Sequence, residues 1–179
     1  QVKVDELVKD DRFVIHREFC DGRVAPQILN AARELNKPVV FELDDLLINV
    51  PESNPNHKYC KTIAPDVLKM LNEADYVTVT TEPLRRYLEE AEPRARGKIH
   101  VLPNYINLDI WDGAKPPAEK PSDPFVIGWF GTATHDEDLA IIKPAIVKLA
   151  RKHAGKVVFK FWGYLPKDLE GIPGVQLVR

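Results

Sequence analysis

The sequence predicts an α/β protein carrying two Rossmann-like, doubly wound parallel sheets. Three observations predict it. Short apolar runs rich in β-branched residues alternate with segments of helical periodicity, the alternation breaks once in a proline-rich stretch, and it then restarts. The 179 residues allow one ordinary domain or two small ones. With 44% hydrophobic residues against 29% charged, the chain has the apolar content for a packed core and does not read as disordered. No uncharged apolar stretch approaches the ~20 residues of a membrane span, so a soluble chain is expected.

Arg12 to His16 is a short strand, broken at Asp21-Gly22. From Val24, apolar residues recur at Ile28, Ala31, Ala32 and Leu35 with Pro26 in the first turn, which is a helix that Pro38 stops. Pro38 to Leu43 is the nearly continuous apolar run of a buried parallel strand. Asp44-Asp45 ends it, and about fifteen Pro- and Asn-rich residues follow as a long loop of the kind that carries function. A short helix is read from Pro65 to Ala74, with Val67, Leu68 and Leu71 inward. Then come a strand over Tyr76–Thr80, a helix capped by Thr80 or Thr81 with Pro83 in its first turn, and a strand over Lys98–Leu102 closed by Pro103-Asn104.

Gly113 to Pro124 holds four prolines in twelve residues and reads as a linker between residues 1–112 and 125–179. Beyond it, Phe125 to Phe130 reads as a buried strand. A Gly-Thr turn leads into a helix with Leu139, Ile142, Ile146 and Leu149 inward, which should kink or start late at Pro144. Lys156–Trp162 and Val175–Val178 read as further strands.

Charge divides along the same line. Residues 1–112 carry 15 Lys/Arg against 20 Asp/Glu, net −5, and residues 113–179 carry 10 against 7, net +3, so the second part is the better host for an anion. Neither part shows the basic, aromatic-interleaved surface of a nucleic-acid binder. Cys20 and Cys60 form no disulfide framework and no CxxC pair, which points to a reducing, cytosolic setting.

Three segments could carry chemistry. In Gly128-Trp129-Phe130-Gly131-Thr132-Ala133-Thr134-His135-Asp136-Glu137 a strand ends at a glycine that admits close backbone approach. Thr134 and Glu137 have the spacing of a capping box. The helix N-terminus so placed is an anion site to which Thr132, Thr134 and His135 could add donors, the plainer alternative being a well-capped turn. In Val40 to Leu47, Asp44 and Asp45 resemble the strand end of haloacid-dehalogenase-like phosphatases. However, Glu42 stands at the nucleophile position and no Gly-Asp-x-x-x-Asp follows. The same pair suggests a divalent cation, which requires the chain to turn between them, or simply a cap and a solvated acid. Asp75 to Leu84 is again a strand feeding a capped helix. The five histidines show no metal-binding pairing, and no Gly-x-Ser-x-Gly elbow occurs.

In their order, these segments resemble the group 1 glycosyltransferases of the GT-B fold. The resemblance rests on Lys37-Pro38-Val39-Val40-Phe41, on the Ala74-Asp75 strand running to Thr80-Thr81-Glu82-Pro83-Leu84, on Lys98 to Pro103-Asn104, and on the restart at Phe125. It covers most of residues 13–163. It implies transfer of a sugar from a nucleotide-sugar donor to a glycan or lipid-linked acceptor, as in cell-surface polysaccharide synthesis. It implies no metal and no further cofactor, and a cytoplasmic protein that can lie against the inner face of the membrane. By position, Gly131, Thr132, Thr134 and His135 would face the donor. Asp44, in the catalytic role, and Asp45, Thr81, Glu82 and Asn104 would face the acceptor. The chain departs from the family in holding Asp44 where many members have His, in reading Pro103-Asn104-Tyr105 for Pro-Asn-Gly, and in lacking the Arg and Lys that grip pyrophosphate. The family's first glycine-rich loop would precede Gln1 and its paired-Glu donor motif would follow Arg179. Both domains are thus expected to be incomplete and the chain alone to turn over little. The alternative of another class is a non-catalytic α/β binding or scaffold module.

Overall fold

The computed structural model describes residues 9–17, 23–112 and 123–178. The turn read at Asp21-Gly22, Cys20 and most of the linker lie outside the described residues. The chain divides into two compact units: one runs up to Pro51 and takes in His57–Ile106, and the other takes Glu52–Asn56 and the chain from Asn107 onward. Among the described residues no helix is long and apolar enough to cross a membrane.

In the first unit the apolar runs become β1 (Phe13–His16), β2 (Val39–Leu43), β3 (Tyr76–Val79) and β4 (Ile99–Val101), joined through α1 (Ala25–Glu34), α2 (His57–Glu73) and α3 (Glu82–Ala91). All neighbours are parallel, in the order β1-β2-β3-β4, with Phe13 opposite Val39, Phe41 opposite Val77, and Val77 opposite Ile99. That register puts Phe13, Ile15, Val39, Phe41, Leu43, Val77, Val79 and Ile99 on one face, where all are buried with Leu29, Val67, Leu71 and Leu88 of the helices. The other face carries Val14, 59% exposed, and Tyr76, 52% exposed. A doubly wound sheet reverses its strand order, and neither sheet does so within the described residues. Right-handed crossovers that always step the same way put their helices on one side, as the burial shows.

Local chemistry sets the ends of these elements. Thr81, in extended backbone, accepts the Leu84 amide at 3.3 Å and so caps α3, with Pro83 in the first turn. Asp75 accepts the Val39 amide at 2.7 Å, tying the start of β3 to that of β2, and Ala74 before it is buried. Lys98 reaches the carbonyls of Asn72 and Ala74 at 2.6 and 2.8 Å, closing the C-terminus of α2. Burial pulls this ammonium below the usual lysine range, against the charge of Asp75.

The helix expected from Pro65 begins eight residues earlier, at His57, with Pro65 inside it. Buried Cys60, Ile63, Val67, Met70 and Leu71 keep helical spacing across the proline, so packing outweighs the amide bond that proline removes. The loop after Asp44-Asp45 is shortened accordingly.

The second unit holds β5 (Phe125–Phe130), β6 (Val157–Trp162) and β7 (Val175–Val178) in a parallel sheet of that order. A four-residue helix, α4 (Leu108–Trp111), was not anticipated; Asn107 caps it by accepting the Asp109 amide at 3.0 Å. The helix α5 (Asp136–Lys152) runs through Pro144 rather than starting there. Its buried stripe is Leu139, Ile146 and Ala150, set against Phe159, Phe161 and Leu169. Ile142 and Leu149, expected inward, are exposed. The strand β5, expected to be buried, is exposed at nearly every position: it lies at the sheet's edge, and among the described residues one face of the sheet lacks cover.

Candidate functional site

Ligands of parallel α/β sheets gather at the carboxyl ends of the strands. In the first unit that edge is formed by Arg17 after β1, Asp44 and Asp45 after β2, Thr80 and Thr81 after β3, and Asn104 after β4. The structure brings Asp44 and Asp45 together on one guanidinium. Nη1 of Arg17 lies 3.1 and 3.3 Å from the two carboxylate oxygens of Asp44 and 2.9 Å from Oδ2 of Asp45. The hydroxyl of Thr80 donates to the Asp44 carbonyl at 3.1 Å, fixing the bend to the neighbouring strand. Cys60, in the first turn of α2, is buried; burial pushes its thiol up, and the charge of Arg17 opposes that.

Three other candidates stand apart from the cluster. Thr81 spends its hydroxyl on the cap of α3. Glu82, in the first turn of that helix, takes Nε of Arg85 at 3.0 Å, which holds its carboxyl below the usual range. Asn104 is exposed in the loop after β4.

Arg17 is the residue that the sequence reading missed. With His16 paired to Glu42, Arg17 comes level with Leu43 and one step short of Asp44. A cation closing one strand and an acidic pair closing the next was the available signal, but it required the register.

At the second unit's edge, Gly131, Thr132, Thr134 and His135 follow β5. A 3-10 turn, Ala133–His135, comes between the strand and α5, so His135 stands at the N-cap and the expected Thr134–Glu137 capping box does not form. The Thr134 hydroxyl instead pairs with that of Thr132 at 2.6 Å. One hydroxyl proton serves that bond and the other stays available to donate outward. Nδ1 of His135 lies 2.9 Å from Oδ2 of Asp138, and its ring meets the edge of Trp129 at 6.5 Å.

Two features temper an anion site here. The first turn of α5 carries Asp136, Glu137 and Asp138, which answer the positive end of the helix dipole themselves. A Cβ at Gly131 would stand 2.3 Å from the Trp129 indole, so the room beside this glycine is already taken. Gly163, at φ +89°, presses from the neighbouring strand end: a Cβ there would stand 2.4 Å from the Gly131 carbonyl oxygen.

Behind the turn, Lys143 bridges Asp168 at 3.1 Å and Asp136 at 3.6 Å, and Tyr164 donates to Asp136 at 3.0 Å. The bond from Lys143 holds the Asp168 carboxyl below its usual range. Among the described residues no three His, Cys, Asp or Glu side chains gather to hold a metal ion. No protein-family model matches the chain, and no curated protein matches it in sequence.

Proposed function

We propose that the chain is a glycosyltransferase of the GT-B type, its two sheets belonging to the two doubly wound Rossmann-like domains of that fold. The observation that carries this reading is positional. Asp44-Asp45, Thr81, Pro103-Asn104 and Gly131 to His135, which the resemblance assigns to the substrates, all follow the carboxyl ends of parallel strands. In this reading the acceptor, a glycan or lipid-linked glycan, meets the first unit and the nucleotide-sugar donor the second. The bond from the sugar's anomeric carbon to the diphosphate breaks and one to the acceptor oxygen forms. Asp44 orients the acceptor hydroxyl and receives its proton. The free hydroxyl proton of the Thr132–Thr134 pair and the His135 imidazole donate to the departing diphosphate, an electrostatic role suited to a fixed turn. The protein works in the cytoplasm, where lipid-linked acceptors bring it to the inner membrane face, and it binds no nucleic acid.

Calorimetric titration with uridine, guanosine and thymidine diphosphates tests the donor side. Weak binding of one of them, with amide shifts confined to Gly131–His135, is expected; no heat and no shift with any of the three overturns the reading. The uncovered sheet faces favour a second reading, a non-catalytic scaffold module. A stable dimer that protects those faces and binds no diphosphate selects it.

A further inference from the structure

At the carboxyl edge of the first sheet one guanidinium nitrogen serves two consecutive carboxylates. Neighbouring residues of a strand point to opposite faces, so this arrangement exists because the chain bends at Asp45, with Thr80 holding the bend from β3. Arg17 side-chain exposure is 25%, whereas Asp44 is at 30% and Asp45 at 61%. Arg17 and Asp44 are thus about equally half-buried, and Asp45 is the outer member. A carboxylate accepts at about four lone-pair positions, and the contacts to Arg17 use only part of that capacity on each group. One guanidinium against two carboxylates leaves these three side chains net negative, which disfavours a phosphate and favours a neutral donor of hydrogen bonds. Two adjacent acceptors match two adjacent hydroxyls.

We propose that Arg17 is a positioning residue that holds Asp44 and Asp45 side by side to receive the vicinal hydroxyls of a sugar acceptor. The assignment rests on the glycosyltransferase reading and adds to it the group that sets the geometry and the chemical feature it selects. Arg17 acts on the substrate only through the two carboxylates that it contacts. It also occupies the place between them that a divalent cation would take.

The test is an amide-shift titration of the full chain with methyl α-mannopyranoside and methyl α-glucopyranoside, beside a separate titration with uridine and guanosine diphosphates. Arg17→Met is expected to weaken glycoside binding by about tenfold or more, the worth of a charged hydrogen bond, with diphosphate shifts at Gly131–His135 unchanged. Arg17→Lys is expected to recover most of it, which a merely structural role would not require. Glycoside affinity equal to wild type in Arg17→Met overturns the proposal. If that variant does not fold, Asp45→Ala, at a more exposed position, carries the test, and unchanged affinity in it overturns the proposal equally. A wild-type chain that binds a diphosphate but no glycoside removes this role and leaves the transferase reading standing. A chain that binds neither removes both.

Discussion

The second strand of the first sheet and the first strand of the second are both apolar runs, yet their environments are opposite. In β2 every other residue, Val39, Phe41 and Leu43, is sealed beneath helices. In β5, Phe125 and Phe130 are exposed, and Phe130 stacks on Trp162 with centroids 4.4 Å apart. The difference follows from position. A central strand with three helices over one face joins a core that takes in residues from every strand of its sheet. An edge strand beside a single long helix shares a core whose buried members are Leu139, Ile146, Ala150, Phe159, Phe161 and Leu169. An apolar strand is a demand for cover, and the two sheets show that demand met to different degrees.

The sharpest way to break this contrast is a matched pair of truncations. Phe41→Ala is expected to destabilise the first unit by about 3–5 kcal/mol in urea unfolding, the usual cost of emptying an aromatic site in a closed core. Phe161→Ala, although equally buried, is expected to cost less because its thinner surroundings can close over the gap. Equal losses would mean that the two cores are equally rigid. Lys98→Met comes next, at about 1–3 kcal/mol, because it leaves the carbonyls of Asn72 and Ala74 without their donor. Hydrogen exchange in the last turn of α2 should report it first. Thr81→Ala should cost about 1 kcal/mol through lost capping, and Thr81→Ser should restore most of it; an unaffected melting curve would leave the cap without energetic weight.

The smallest effect belongs to the second unit and depends on pH. The Asp168 carboxyl titrates lower in the folded state than in the unfolded one, so its stabilisation is fully present above the ordinary carboxylate range and is lost as pH falls through the lowered value. Acid unfolding monitored by Trp fluorescence should therefore flatten slightly in Asp168→Asn. A profile identical to wild type would show that the Lys143 bridge contributes nothing there.

The strands were the most legible part of the sequence, because their β-branched runs agree with their packing; β2, β5 and β7 begin and end within a residue of the reading. The helices were less so. Pro65 hid the first two turns of α2, since a proline is normally a boundary and here the apolar period on both sides overrides it. The capping box failed for a different reason: two nearby hydroxyls found each other and left the helix to start after a 3-10 turn. Cover was not legible at all, because the hydrophobicity of Phe125 or Ile142 states a preference and not a partner. At the candidate sites, Asp44 and Asp45 were visible as a pair, whereas Arg17 lies twenty-seven positions away and enters only through parallel register.

The close approach of Gly163 to Gly131 gives the turn after β5 a lever outside itself. Any side chain at Gly163 must displace the Gly131 carbonyl, and at φ +89° it must also adopt a backbone that L-residues avoid. The position thus acts as a tuning screw: Gly163→Ala shifts the peptide at the mouth of β5 while leaving the chemistry of Thr132, Thr134 and His135 unaltered. The sensitivity of that turn to a methyl group on the adjoining strand measures how far its geometry is set by backbone placement and not by its own side chains.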